Sequence, residues 1–178
     1  MVAPHDAKAP MARKRPGHAV KPEASVRDPG AALMQRPGVL IRRLHQVHSA
    51  MFQEETAGFG VTPVQYSLLT LLMETPGIEQ GVAAAGLRLD RFTTADVVRR
   101  VEAAGLLRRK TGLDRRARTL FLTRKGIKVF EAMQESVHRA HERLVEPLPE
   151  RRRGALLRML QELVDRHATV GAPPPRIR

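Results

Sequence analysis

Cysteine is absent from the 178 residues, which excludes disulfides, thiolate zinc sites and thiol-based redox sensing. Tryptophan is absent as well, and aromatic residues reach only 3 %. The core must therefore be built from Leu, Val, Ile, Ala and Met, a composition that favours packed helices over a sandwich of sheets. No apolar run approaches the roughly 18 residues of a membrane span, and the N-terminus lacks the apolar segment of a signal peptide. The expectation is a soluble, cytoplasmic protein. Enzyme signatures are missing too. No Ser-His-Asp set, P-loop, paired carboxylates or glycine-rich phosphate loop has its required context, so no catalytic residue, cofactor or enzymatic activity is expected.

Acidic residues are also in short supply: 18 stand against 31 Lys and Arg, a formal net charge of +13. Such a balance points to a polyanionic partner, either nucleic acid or an anionic membrane surface. The distribution favours the first. Between Arg88 and Lys128 there are 13 basic and 4 acidic side chains, a local +9. That cluster falls on helix-turn-helix and hairpin patterns rather than on an amphipathic basic helix of the membrane-surface kind.

Residues 1–32, rich in Pro, Ala, Gly and charge, lack apolar periodicity and read as a disordered basic arm whose "RKR" at 13–15 suits non-specific phosphate contact. Residues 169–178 read as a flexible tail. Between them the chain is mostly helical. Leu40, Leu44, Val47 and Met51 recur at helical spacing and predict a helix over about 37–57. Thr62 and Pro63 open the next helix, which Pro76 and Gly77 stop. A short Ala-rich helix follows in "IEQGVAAAGLRL", and then "DRFTTADVVRRVEAAG", with Asp90 as cap and Gly105 as C-terminal stop. There the period changes to two. "LLRRKT" and "RTLFLT" predict strands joined by "GLDRRA". Thr123 then caps a long helix to about Leu144, with Ile127, Phe130, Met133 and Val137 on one stripe, and a last helix spans about 150–168 with Leu156, Leu157, Leu160, Leu163 and Val164. The first, long and last helices bear apolar stripes that one small lobe cannot bury alone, so an oligomer is expected.

A short helix, a tight connection, a second helix with a polar and basic side and then a basic hairpin is the plan of a winged helix-turn-helix. In the second helix Val97, Val98, Val101 and Ala104 are expected to face the core. Thr93, Asp96, Arg99 and Arg100 lie mostly opposite, as entry into a major groove requires. Thr93 and Thr94 are expected to reach base edges or phosphates, and Arg99 and Arg100 the backbone. At the hairpin tip, Arg116 suits a narrow minor groove. Asp114 would orient it through a charge-assisted bond, with Arg115 and Arg118 serving flanking phosphates. Arg88, Arg91 and Arg109 complete the expected DNA-binding set.

"DRRARTLFLTRKG" with "DRFTTADVVRRVEAAGLLRR" and "GVTPVQYSLLTLL" resembles the MarR family of bacterial transcriptional regulators over about residues 37–168. The resemblance implies a mostly α fold with a small β-hairpin wing. It implies a homodimer, with residues 33–60 and 124–168 as a helical dimerisation region and 61–123 as the winged DNA-binding region. It places the family's minor-groove Arg and orienting Asp on Arg116 and Asp114, and a palindromic double-stranded operator as partner. Two departures stand out in "QGVAAAGLRLD": Ala83 where the family usually has Leu, and Arg88 where a small turn residue, often Gly, is common. The resemblance also implies an effector cleft between the first two helices, the long helix and the winged lobe. Arg42, Arg43, His45, His48 and Tyr66 are its candidate linings, suited to an anionic aromatic ligand such as an aromatic acid or its CoA thioester. The i,i+3 pairs His45 with His48 and His138 with His141 offer imidazoles to a metal, but no Cys accompanies them, and no metal site is expected. The functional reading is a sequence-specific DNA-binding repressor released by such a ligand. Its rival is an architectural DNA-binding protein without sequence choice or effector.

Overall fold

The computed structural model describes residue 30, residues 32–111 and 118–168, and residue 170. Its elements are α1 (Pro37–Glu55), α2 (Pro63–Glu74), α3 (Gln80–Gly86), α4 (Arg91–Ala103), β1 (Leu107–Thr111), β2 (Arg118–Leu122), α5 (Arg124–Val145) and α6 (Glu150–Arg166). This is the mostly helical, hairpin-bearing architecture expected from the sequence. Among the described residues, no helix is long and apolar enough to cross a membrane.

The punctuation residues act where their chemistry predicts. Thr62 and Gln65 form a reciprocal capping box at the start of α2, with Pro63 in the first turn where its missing N–H is harmless. Asp90 caps α4 by accepting from the Phe92 and Thr93 amides at 2.8 and 2.9 Å. Gly105 ends α4's turn at φ 73°, a left-handed conformation that a Cβ would strain. Gly77 is likewise left-handed, at φ 82°, and a Cβ there would meet the Phe121 ring at 3.0 Å.

β1 and β2 pair antiparallel from Leu107 opposite Leu122 to Thr111 opposite Arg118. The loop before α3 joins their edge: Gly77 donates to the Leu120 carbonyl and the Leu120 amide donates to Ile78, both at 2.9 Å. The hairpin is therefore tied to α2 and α3 as well as to its neighbours in sequence. Phe52, Leu68, Leu69, Leu72, Val98, Val101, Leu107, Leu120 and Met133 are essentially inaccessible and form one core drawn from α1, α2, α4, both strands and α5. Val97, Val98 and Val101 face it as expected. Ala104 does not: it lies beyond the last turn of α4 and is exposed, because the chain already reverses there toward Gly105.

α1 lies against α5. Glu55 accepts from Arg139 at 3.0 Å and Arg143 at 2.7 Å, and Glu54 accepts from Arg143 at 3.0 Å. α6 is different, because it buries none of its residues. Leu157, Leu163 and Val164 are each more than half exposed, as is Ile41 on α1.

The start of α5 is the tightest point. Thr123 caps the helix through the Gly126 amide at 3.0 Å while its own amide donates to the Leu106 carbonyl at 3.0 Å. A Cβ on Gly126 would stand 2.0 Å from the Leu106 oxygen. Because that obstacle is backbone, no rotamer change relieves it. Gly126→Ala is expected to cost about 2–3 kcal/mol of stability, by displacing α5 from the end of α4. Urea unfolding measures it; a midpoint equal to wild type would show that the junction yields freely.

Candidate nucleic-acid interface

α4 presents one valine face inward and one charged face outward. On the outer face, Asp96 receives Arg99 Nη2 at 2.5 Å and Arg100 Nε at 2.7 Å. The bond from Arg99, followed by the field of Arg100, holds the Asp96 carboxyl below the usual carboxylate range. Both guanidinium groups remain about two-thirds exposed. The carboxylate thus sets their direction without removing them from solvent, and their remaining N–H groups stay free to meet an anion.

Asp90 does similar work at the N-terminus of α4. The Thr93 hydroxyl donates to Asp90 Oδ2 at 2.5 Å, and this bond is the main reason the Asp90 carboxyl is also held low. Thr93 is exposed and can still accept. Thr94 is corrected: it is 1 % exposed, and its hydroxyl donates inward to the Asp90 carbonyl at 2.8 Å, so it cannot reach a base or phosphate in this conformation. The distinction is rotational. One residue along a helix turns the side chain by about 100°.

Arg109, on β1, donates through Nε and Nη2 to Glu102 of α4, the former at 2.8 Å. That ion pair fixes the hairpin against α4, so Arg109 offers a partly neutralised charge. Arg118 reaches across the strand pair to the Thr111 hydroxyl at 3.2 Å. Arg91 is exposed and lines a cavity of about 190 Å³ with Gln80, Gly81, Ala84 and Thr94. Asp114, Arg115 and Arg116 fall outside the described residues. β1, the strand that precedes them, lies beside α4 and is tied to it by the Arg109–Glu102 pair.

Sequence reading missed several neighbours. Arg108 and Lys110 stand over the Phe121 ring, at 5.8 and 5.1 Å from its centroid. The alternation of β1 and the pairing of Arg108 with Phe121 carry the signal for this, once the register is known. Arg124, Lys125 and Lys128 line a groove of about 390 Å³ with Phe59, Val129 and Ala132. Phe92, next to Arg91, is 90 % exposed.

Arg88 occupies the turn between α3 and α4. Among the described residues it is the one non-glycine residue with positive φ, 53°. The sequence departure noted above is thus a real backbone cost of roughly 1–3 kcal/mol for a side chain with a Cβ. The guanidinium is exposed and donates to the Ala168 carbonyl at 3.3 Å. Ala83, the other departure, is fully buried against the core.

The five effector-cleft candidates separate into two groups. Arg42, Arg43 and His45 are exposed on α1, where Arg43 borders an apolar groove of about 320 Å³ with Leu40, Ile41, Leu44 and Val47. His48 and Tyr66 instead belong to a ladder of rings across α1, α2 and α5. His141 stacks on His48 at 5.5 Å, His48 meets Phe52 at 6.2 Å, Phe52 meets Tyr66 at 5.9 Å, and Tyr66 stacks on Phe130 at 5.5 Å. The Tyr66 hydroxyl accepts from Gln134 at 2.9 Å. Among the described residues, no three His, Cys, Asp or Glu side chains are grouped to hold a metal ion.

No family model matches the sequence. A protein of Thauera aromatica assigned to transcriptional regulation of the hcr operon is 31 % identical over 105 residues, 58 % of this chain and 63 % of the relative. The chain thus spans somewhat less than two-thirds of that relative's length. Among solved structures, the transcriptional repressor CouR bound to a 23-mer DNA duplex matches with TM-score 0.71 and 31 % identity, over 76 % of this chain and 96 % of that one. BpsR of Bordetella bronchiseptica, whose DNA binding is regulated by 6-hydroxynicotinic acid, matches with TM-score 0.69 and 25 % identity, over 74 % and 94 %.

Two substitutions test the local physics. Arg88→Gly is expected to raise stability by about 1 kcal/mol, the relief of the left-handed strain exceeding glycine's larger entropy loss; an unchanged or lower denaturation midpoint would mean that the strain is already absorbed. The other concerns His48. Burial first, then the fields of His141 and His45, lower its pKa from 6.5. A group whose pKa is depressed by folding contributes fully above its unfolded pKa. That contribution fades as pH falls from 6.5 through the lowered value, since the unfolded chain takes up the proton first. Between about pH 7.5 and 5, His48→Gln should therefore lose less stability than wild type, and equal slopes would exclude His48 as the source.

The winged arrangement and the match to CouR over 96 % of its length meet in one conclusion: this chain belongs to the MarR family of transcriptional regulators.

Proposed function

We propose that this protein is a cytoplasmic, sequence-specific regulator that binds double-stranded DNA as a homodimer, represses nearby genes and is released by a small anionic aromatic ligand. The carrying observation is the outer face of α4. Asp96 aims Arg99 and Arg100 into solvent from a helix whose N-terminus is fixed by Asp90, and the wing strands extend beside it. In this reading residues 61–123 form the DNA-binding region. Thr93 approaches bases or phosphates, Arg88, Arg91, Arg99, Arg100 and Arg118 meet phosphates, and Arg116, oriented by Asp114, enters the minor groove. Asp96 and Arg109 act by position, one holding two arginines and the other holding the hairpin.

The dimer is supported by the apolar surfaces left open on α1 and α6, in the regions 33–60 and 124–168. Leu157, Leu163 and Val164 on α6 and Ile41 on α1 are left more than half exposed by the protomer's own packing. A two-fold pairing of these helices would bury them and set two α4 helices one turn of DNA apart. For the ligand, the exposed cations of α1 beside a ring-lined junction suit an aromatic carboxylate, and a related protein, BpsR, is regulated by one. Release requires the ligand to favour a conformer poorly matched to DNA; equal affinity for both conformers would change nothing.

The test is a titration of the DNA immediately upstream of the gene against random DNA at about 150 mM salt, with and without aromatic acids and their CoA thioesters. The expected specificity ratio exceeds roughly 10³ and collapses with one ligand. Arg116→Ala should remove most of it, and Asp114→Ala a smaller part. A ratio near one on all DNA would replace this reading with the architectural one, and an Arg116→Ala loss no larger than that of a distant surface Arg would sink the minor-groove role.

A further inference from the structure

We infer that Phe92 reads sequence, by placing its ring against the C5-methyl group of a thymine in the major groove. The inference rests on the DNA-binding reading above and extends it from phosphate contact to base choice. The chain has six aromatic residues, five Phe and one Tyr. Five are engaged: Phe52 is buried, Phe59, Tyr66 and Phe130 pack on the core, and Phe121 lies beneath Arg108 and Lys110. Phe92 alone stands 90 % exposed, well above the next large apolar side chain among the described residues, Val170 at 75 %.

Exposure by itself is ordinary for a single apolar residue. Position gives it meaning. Phe92 is the second residue of α4, and its amide is held by Asp90 Oδ1 at 2.8 Å, so the start of the helix is fixed. Four, seven and eight residues later come Asp96, Arg99 and Arg100, which places Phe92 at the N-terminal end of the same exposed stripe. Helical side chains lean toward the N-terminus, and the N-terminal residues of a recognition helix are the ones that meet base edges.

The chemistry of the ring then selects the partner. A phenyl group neither donates nor accepts a conventional hydrogen bond, and the thymine methyl is the apolar feature that a major groove presents. Surrounding charge selects DNA over an apolar protein surface. Arg88 in the turn before α4 and Arg91, Arg99 and Arg100 on the same helix as the ring are all exposed, and an uncharged partner would have to strip water from them without compensation. On DNA those cations meet phosphates while the ring enters between them.

The experiment first selects the tightest duplex from a random pool with the full-length protein, then replaces its thymines one at a time by deoxyuridine, which deletes only the methyl group. Wild type should lose roughly 3- to 5-fold in affinity at one thymine of each half-site, the scale of one buried methyl. Phe92→Ala should bind the thymine and uracil duplexes alike, near the wild-type level on uracil, with an unchanged thermal midpoint. Phe92→Leu should fall between.

A methyl effect that persists in Phe92→Ala, or no effect at any thymine, overturns the assignment. So does a Phe92→Ala loss that is equal on selected and random DNA, which would make the ring a sugar contact, or no loss at all, which would point to a protein partner. Failure to select any duplex over random DNA removes the DNA-binding reading itself, and the inference with it.

Discussion

Everything that positions the outer face of α4 depends on a crowded backbone junction where residues 104–106 meet residues 123–126. The Thr123 hydroxyl donates to the Gly105 carbonyl at 2.7 Å and accepts the Gly126 amide, so one side chain both ends the turn after α4 and starts α5. Lys125 adds its ammonium to the Ala104 carbonyl at 2.8 Å, a cation at the negative end of α4. The Leu106 amide closes back on Val101 at 3.1 Å. Glycine at 126 is what allows these bonds to coexist. Because β1 leaves from this junction and β2 returns to it, both strands, α4 and α5 are tied together at one point.

Around that unit the few acids are placed as restraints on arginine. Asp96 holds Arg99 and Arg100, Glu102 holds Arg109, and Glu55 holds Arg139 and Arg143. A long cationic side chain loses substantial rotamer entropy when an anion immobilises it, and a neighbouring carboxylate incurs part of that loss in advance. Ion pairs this open to solvent add little to folding stability, because water screens them. Their consequence is directional.

Much of this was legible because the punctuation is chemical. Thr62, Pro63, Asp90, Gly105 and Thr123 each mark a boundary through a hydrogen bond or a dihedral that the residue type itself favours, and the change from helical to alternating period marks the hairpin. What sequence could not give is rotation about a helix axis near its ends. Thr93 and Thr94 are chemically equivalent on paper, yet one faces out and the other is sealed against the core. Ala104 reverses its expected environment for the same reason, as it lies at the end of α4 where the valine stripe stops constraining it. Long-range partners such as Glu55 with Arg143, or His48 with His141, require the packing of α1 on α5 and have no local signature. The cost at Arg88 was hinted at by an unusual residue in a turn, but only its dihedral makes it physical.

The ring ladder has an optical consequence. With no tryptophan and a single tyrosine in the chain, ultraviolet emission excited near the tyrosine band comes from Tyr66 alone. That residue is stacked on Phe130 and bonded through its hydroxyl to Gln134, at the meeting of α1, α2 and α5. The protein therefore carries a built-in, site-specific fluorophore at the junction between its long helices and its winged lobe. A rearrangement there changes the lifetime and anisotropy of one known phenol, with no label to attach and no second emitter to subtract.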